Sequence, residues 1–455
     1  MFDILTALGL ADSQHSLIAI TGGGGKSTLL FALGEALAAH KGRTVLTATT
    51  RLFANQVRRP DALQIDPARP DAARLPVIGQ LLDRFGLCVV VGEAVGAGKV
   101  QGVPPALAMA LSRREDVAFV VAEADGSRQM PVKAPGAHEP VIPAAADLVV
   151  VMMGLDGLER PLSEVAHRLP VLRHLLEIDG DQPLTPAQAA ALLVHPQGGM
   201  KGVPVQARVV VWLNKAETAV RQSLACRIAR DVLRQSRVTQ VVIGALQSPN
   251  PVKLVAGRVT AVVLAAGSAR RMGQTKQLLP WGQTTVLGQT LANVQASWVT
   301  DVAVVTGHEE TAVAAEASRF GGRVWHNAAF ASGEMISSLQ VALQQLDGRE
   351  TAVLVVLADQ PMVKPETINA LIQAFWQGKG GIIAPTYQGR RGNPVLISRR
   401  YFAELLTLPP GDAPRTVLRR HPEDVVLLSV ADEGVVVDLD TLENYEAWRP
   451  KTDDE

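Results

Sequence analysis

Apolar residues along this chain fall in short unbroken runs. In the first half the runs cover residues 17–21, 44–48, 88–91, 118–122, 148–151, 209–213 and 240–243. Runs without polar alternation predict strands covered on both faces, as in a parallel sheet. Stretches with helical spacing, such as 27–40 and 217–235, lie between them, and this alternation is the α/β pattern. It breaks at "QSPNPVKLVAGR" (residues 247–258), where two prolines and an asparagine read as a linker. It then restarts, with strand-like runs at 259–264, 302–306, 353–357, 381–385 and 425–430. The pattern therefore predicts two doubly wound α/β domains, residues 1–255 and 256–455.

Composition narrows the function. Of 455 residues, 47% are apolar, enough for each domain to bury a core. Lys plus Arg equals Asp plus Glu at 44 each, and aromatics are only 4%, so neither a polyanion nor stacked bases are expected partners. Nucleic acid is thus excluded. Cys88 and Cys226 have no neighbours at metal-ligand spacing and read as buried thiols in a reducing compartment. The N-terminus lacks a basic region and carries Asp3 and Asp12, and no apolar run is long enough to span a bilayer. A cytoplasmic protein without membrane contact is expected.

Two loops carry candidate chemistry. The first, "ITGGGGKST", follows the run at 17–21 and opens a helical stretch. The common phosphate loop G-x-x-x-x-G-K-[ST] would require glycine at position 20, which is Ile20. Gly22, Gly23, Gly24 and Gly25 still give a flexible backbone. Lys26 would reach the outer phosphates of a nucleoside triphosphate, and Ser27 or Thr28 would meet Mg²⁺. Downstream, "VAFVVAEADGSR" ends an apolar run on Glu123 and Asp125, the position of a metal-holding carboxylate. "VVVWLNKAE" ends another on Asn214 and Lys215, like a guanine-reading N-K-x-D turn with Glu217 in the aspartate's place. ATP, GTP and binding without hydrolysis all remain open for this domain. Arg128, Lys133, His138 and Glu139 follow on a proline-rich loop that could receive an anion.

The second loop, "LAAGSARRMGQTKQ", leaves the run at 259–264. Leu264, Ala265, Ala266, Gly267 and Gly273 allow close approach of a nucleotide to the backbone. Arg271 and Lys276 place positive charge where a triphosphate would lie. Asp359 follows an apolar strand and precedes Gln360-Pro361, so it should project at the sheet's C-terminal edge and hold Mg²⁺. Asp438 and Asp440, at i and i+2, would face the same side, and either could be the second ligand. His308, His326 and His421 are scattered and read as non-catalytic.

This second loop resembles the opening of MobA-like nucleotidyltransferases. "VLVVLADQPMV", "GRRGNPVLIS" and "VVVDLDTLENYE" resemble further motifs of that family in family order. The departures are Ala269 for serine, Glu334 for glycine and Leu442 for proline. The resemblance implies a Rossmann-like fold and a nucleotide-binding Asn393 in the G-N-P turn. L-A-A-G, as opposed to L-A-G-G, implies the cytidylyl branch, with CTP and Mg²⁺ as cofactors and molybdopterin as substrate. The implied reaction transfers CMP from CTP to the molybdenum cofactor and releases pyrophosphate.

The first loop aligns with the short phosphate loop of Mur-ligase and folylpolyglutamate-synthase type enzymes. Together with "EADGSRQMPVKAPGAHEPVIP" and "HPQGGMKGVP", it resembles YqeC-type accessory proteins of selenium-dependent hydroxylases. That resemblance implies a P-loop NTPase-like domain and a client molybdenum hydroxylase as partner. Two alternatives stand beside this reading. One is a sugar- or alditol-phosphate nucleotidyltransferase, and the other is a non-catalytic, nucleotide-regulated chaperone for cofactor delivery.

Overall fold

A computed structural model describes residues 2–13, 16–66, 75–235, 237–267, 275–332 and 335–450. The chain divides into two compact units, Met1–Ala256 and Gly257–Glu455. Both are α/β.

The first unit is built on a nine-stranded sheet. In chain order its strands are β1 (Ser16–Gly22), β2 (Thr44–Ala48), β3 (Ala62–Gln64), β4 (Leu87–Val91), β5 (Phe119–Glu123), β6 (Leu148–Gly154), β7 (Arg208–Asn214), β8 (Val238–Gly244) and β9 (Val252–Ala256). Their order across the sheet is β9-β8-β7-β6-β1-β5-β2-β4-β3, parallel except for the β8/β9 pair. All seven expected runs are strands. Successive residues bury on opposite faces. Ile18, Ile20, Val121 and Val150 pack with Leu29, Leu30, Leu33 and Leu37 of the helix Lys26–His40. Leu17, Val45, Cys88 and Val120 pack on the other face with Ile78, Leu82 and Leu111. Burying each such leucine contributes about 1.5–3 kcal/mol, which fixes the helix against the strand that feeds it.

The expected linker is only partly a linker. Val252–Ala256 forms the antiparallel edge strand β9. Val252, Leu254 and Ala256 point inward while Lys253 and Val255 alternate with them, the two-residue period of a half-covered edge strand. The prolines at 249 and 251 lie in the turn that reverses the chain, not in a tether.

In the second unit the main-sheet strands are β10 (Arg258–Ala265), β11 (Asp301–Thr306), β12 (Arg323–His326), β13 (Glu350–Leu357), β14 (Ile382–Tyr387), β15 (Arg390–Arg391), β16 (Val395–Ser398) and β17 (Val425–Ser429). The order is β12-β11-β10-β13-β16-β14-β15, with β17 parallel to β14. Strands β10 to β13 are mutually parallel, and β16 runs against both β13 and β14. The helix Met335–Gln345 and the pair Phe402–Thr407 and Arg415–Arg420 cover one face. The helices Val286–Ala296 and Pro365–Trp376 pack against β10 and β14. Cys88 and Cys226 are free and buried, and burial pushes both thiols up to about 12. No described helix is long and apolar enough to cross a membrane.

Candidate functional sites

The first site forms where β1, in the middle of its sheet, runs into the helix Lys26–His40. β5 and β6 flank β1, and Glu123 is in register with Ile20 on one side and Ala48 on the other. The sheet thus delivers a carboxylate beside the loop. Gly22 has φ +93°, and a Cβ there would meet the Met152 carbonyl at 2.1 Å. Gly23 is held by its N–H donating to that carbonyl at 2.9 Å, and Gly24 donates to Met130 O at 3.2 Å. Glycine is therefore required by close backbone contact as well as by conformation.

Buried side chains finish the loop. Asp125 accepts from Gly22 N at 3.0 Å. Lys26 is 3% exposed, donates to Gly22 O at 2.8 Å, and lies 3.6 Å from Glu123 and 3.4 Å from Asp125. Ser27 Oγ donates to Glu123 at 2.7 Å. Burial pushes the Glu123 carboxyl above its ordinary range, and Lys26 and Ser27 offset this only in part. A buried carboxyl that its neighbours stabilise only in part, beside a hydroxyl, would be held ionised by a divalent cation, so Glu123 and Ser27 fit Mg²⁺. Asp125, also expected as a metal ligand, is committed elsewhere. It pins the loop and pairs with Lys133 at 2.8 Å.

A cleft of about 270 Å³ opens over this loop, lined by Gly24, Gly25, Lys26, Ser27, Thr28 and Glu123 among others. Gly22 and Gly23 are packed behind it. Asn214, expected to read a base, donates from Nδ2 to Gly24 O at 2.7 Å and accepts at Oδ1 from Leu246 N at 3.1 Å. Its amide therefore ties the loop at Gly24 to the segment at Leu246. Lys215 lines the cleft and bonds Asp156 at 2.6 Å, while Glu217 pairs with Arg221 at 3.0 Å. Lys133 is not a receptor for an anion, because it is buried between Asp125 and Glu139.

The second site sits at the C-terminal ends of β10 and β13, where Leu264 is in register with Leu357. A cleft of about 300 Å³ is lined there by Leu264, Ala266, Gly267, Lys276, Asp359, Asp438 and Asp440 among others. Ala265 faces the core and is fully buried. Arg271 and Gly273, with Ala269 and Glu334, lie outside the described residues. Lys276 Nζ bonds Asp359 and, at 2.8 Å, Asp440. Burial pulls the Lys276 ammonium down, but the two carboxylates outweigh it and hold it above the ordinary lysine value. Gln360 Nε2 donates to Asp438 at 2.7 Å. Loss of water in the cleft, then the charge of Asp359, pushes the Asp438 carboxyl up.

Two carboxylates thus bond one ammonium and a third stands near them, an excess of negative charge that a divalent cation would relieve. Among the described residues they form no ready cage of three ligands. Mg²⁺ needs only one or two carboxylates besides phosphate oxygens and water, so the residues fit it. Asn393 does not line this cleft. Its N–H donates to Val435 O at 2.9 Å, and a Cβ on Gly392 would meet that carbonyl at 2.0 Å. The G-N-P turn therefore supports the segment that carries Asp438 and Asp440.

Comparison with known proteins fits this division. The family description "YqeC protein" matches residues 18–170, and "MobA-like NTP transferase domain" matches residues 261–425. The "Uncharacterized protein YqeC" of Escherichia coli (strain K12) is 36% identical over 218 residues, 47% of this chain and 82% of that protein. The chain belongs to the YqeC family. Beyond its YqeC part, residues 261–425 match the MobA-like NTP transferase domain. The "Molybdenum cofactor cytidylyltransferase" of the same organism is 23% identical over 188 residues, 41% of this chain and 93% of that protein. The crystal structure of Rv0371c from Mycobacterium tuberculosis H37Rv is 32% identical, covering 42% of this chain and 97% of that one, with a TM-score of 0.37.

Several residues of the transferase cleft escape a motif search. Gln277 and Phe330 line it, and Gln360 holds Asp438. The rings of His308 and His326 each meet the Phe330 ring edge-on, at 6.4 and 6.2 Å. Asn327 donates to both Ser337 and Ser338 at 2.9 Å, fixing the first turn of Met335–Gln345 beside the cleft. Met335 and Ser338, which follow Glu334 in the family motif, line the cleft as well, but the asparagine that orients their helix carries no motif signal.

Proposed function

We propose that the MobA-like domain transfers CMP from CTP to the phosphate of the molybdenum cofactor, releasing pyrophosphate. In this reading the YqeC unit binds a nucleoside triphosphate and serves maturation of a molybdenum hydroxylase. The observation that carries it is the convergence of Lys276, Asp359 and Asp440 on the cleft beneath Ala266 and Gly267. The 23% identity to a molybdenum cofactor cytidylyltransferase supports the choice of acceptor.

In the reaction a phosphate oxygen of the acceptor forms a bond to the α-phosphorus of CTP. The bond from that phosphorus to the bridging oxygen breaks, and pyrophosphate leaves with the electron pair. The nucleophile is already anionic, so no general base is required, and alignment and charge neutralisation carry the rate. Mg²⁺, held by Asp359 with Asp438 or Asp440, neutralises phosphate charge when bound. Lys276 supplies a fixed positive charge to the triphosphate, and Ala266 and Gly267 let the nucleotide approach the strand end. Joining the YqeC unit to the transferase raises the local concentration of any intermediate that both handle.

Pyrophosphate release tests this, with purified protein, Mg²⁺, CTP and molybdenum-loaded pterin. CTP should support turnover and GTP should support little. Equal use of GTP would overturn the base assignment. Turnover of a sugar or alditol phosphate instead of the pterin would move the acceptor class. Asp359→Asn protein that makes no pyrophosphate yet still delivers cofactor would favour the chaperone reading.

A further inference from the structure

The cleft of the YqeC unit carries cations that the ion pairs around its phosphate loop leave unused. Lys26 is balanced by Glu123 and Asp125, and Lys215 by Asp156. Arg51, Lys99 and Arg128 also line the cleft. Neither Arg51 nor Arg128 makes an ion pair or side-chain hydrogen bond with a described residue, and Lys99 lies over the Phe53 ring at 5.3 Å. The chain as a whole is neutral, so this local surplus is not a general basic surface.

The surplus lies on one side of the phosphate loop. Across the sheet, β1 has β6 and β7 on one side and β5 and β2 on the other. Lys215 follows β7. Arg128 follows β5, and Arg51 follows β2. Lys99 faces the Arg51 segment through the two-stranded ribbon in which Leu52 pairs with Val100 and Phe53 with Lys99. The cleft therefore has two wings that meet at Gly24–Ser27. A triphosphate seated on the loop sends its nucleoside into one wing only. The wing toward Lys215 leads to the backbone at Leu246, which Asn214 holds in place. The other wing presents three cations and the Gln56 side chain. An array of guanidinium and ammonium groups from separate segments matches a phosphate group, not a base.

We infer that the YqeC unit holds two ligands together, a nucleoside triphosphate on Gly24–Ser27 and a phosphate monoester in the wing formed by Arg51, Lys99 and Arg128. This rests on the reading of the unit as a triphosphate binder. It assigns the second wing to the substrate on which that nucleotide acts or reports.

The test is a calorimetric titration of the full chain with inorganic phosphate at constant ionic strength. It is run with and without saturating Mg²⁺ and a non-hydrolysable ATP or GTP analogue. The variant is Arg51→Gln with Arg128→Asn; Arg128 has φ +50°, a conformation asparagine tolerates, and both side chains are exposed. Phosphate should bind saturably to the analogue-loaded protein, at least tenfold more weakly to the variant, while analogue affinity changes less than twofold. Phosphate that displaces the analogue one for one overturns the inference, as does a variant whose analogue affinity falls in step. Phosphate binding that the variant leaves unchanged also overturns it. If no analogue binds the wild type, the triphosphate reading fails, and phosphate binding lost only in the variant still upholds the second wing. Absence of both bindings removes both.

Discussion

The two candidate phosphate sites of this chain are built in opposite ways. The YqeC loop is fixed by backbone packing, with Gly22 and Gly23 against the carbonyls of Met152 and Met130, and by buried ions that never leave the protein. The transferase cleft is assembled from side chains that satisfy one another, with Lys276 shared between Asp359 and Asp440. One is pre-organised at the cost of glycine entropy. The other would have to exchange an internal ion pair for a ligand and its metal, on the function proposed above. The contrast predicts that substitutions in the loop damage stability first, and substitutions in the cleft damage rate first.

The strongest challenge to that contrast is Gly22→Ala. Positive φ and a 2.1 Å approach to backbone leave the new methyl nowhere to go, so destabilisation of about 3–5 kcal/mol is expected, read by urea denaturation. A loss below 1 kcal/mol would mean the loop is not rigid. Next is Asp359→Asn, expected to lower kcat for pyrophosphate release about 10²–10³-fold while the thermal midpoint stays near wild type. Asn214→Ala removes two hydrogen bonds that brace Gly24 and Leu246, and should cost about 1–3 kcal/mol of stability and weaken triphosphate binding to the YqeC unit. Unchanged stability with altered base preference would restore Asn214 as a base reader.

The smallest effect concerns pH. Asp438 has its folded value raised, so its protonated form is favoured in the folded chain. Its contribution to stability is full below the ordinary aspartate value and is lost as pH rises through the raised one. Metal binding has the opposite dependence, because it needs the ionised carboxylate. Mg²⁺ affinity of the transferase cleft should fall as pH drops through that raised value, and Asp438→Asn should flatten the profile. A wild-type profile that titrates only within the normal aspartate range would show that Asp438 is not a ligand.

Strands and loops were legible for a simple reason. Central parallel strands are apolar on both faces, and each expected run is one. Among the missed strands, Ala62–Gln64, Arg323–His326 and Val252–Ala256 are at or near an edge and polar on one side or interrupted, while the interior strand Val395–Ser398 is only four residues long. The placement of charged candidates was legible: Lys26 lines the first cleft, and Lys276 and Asp359 line the second. It was not legible where chemistry depends on which neighbour a side chain has already met. Asn214 and Lys133 have the right identities for ligand contact, yet each spends its side-chain polar groups on the protein, and Asn393 lies away from the cleft with its N–H bonded to Val435. Only three-dimensional proximity separates a brace from a contact.

One consequence concerns how the chain can be cut. Strand β9 closes the YqeC sheet at Ala256, and after Gly257 strand β10 opens the next. Severing the polypeptide at the prolines near 250 would peel off β9 and leave the amides of Val241–Ile243 without their antiparallel neighbours, a sticky margin that invites clumping. Scission at Gly257 leaves both sheets whole, so halves divided there are the ones to assay separately.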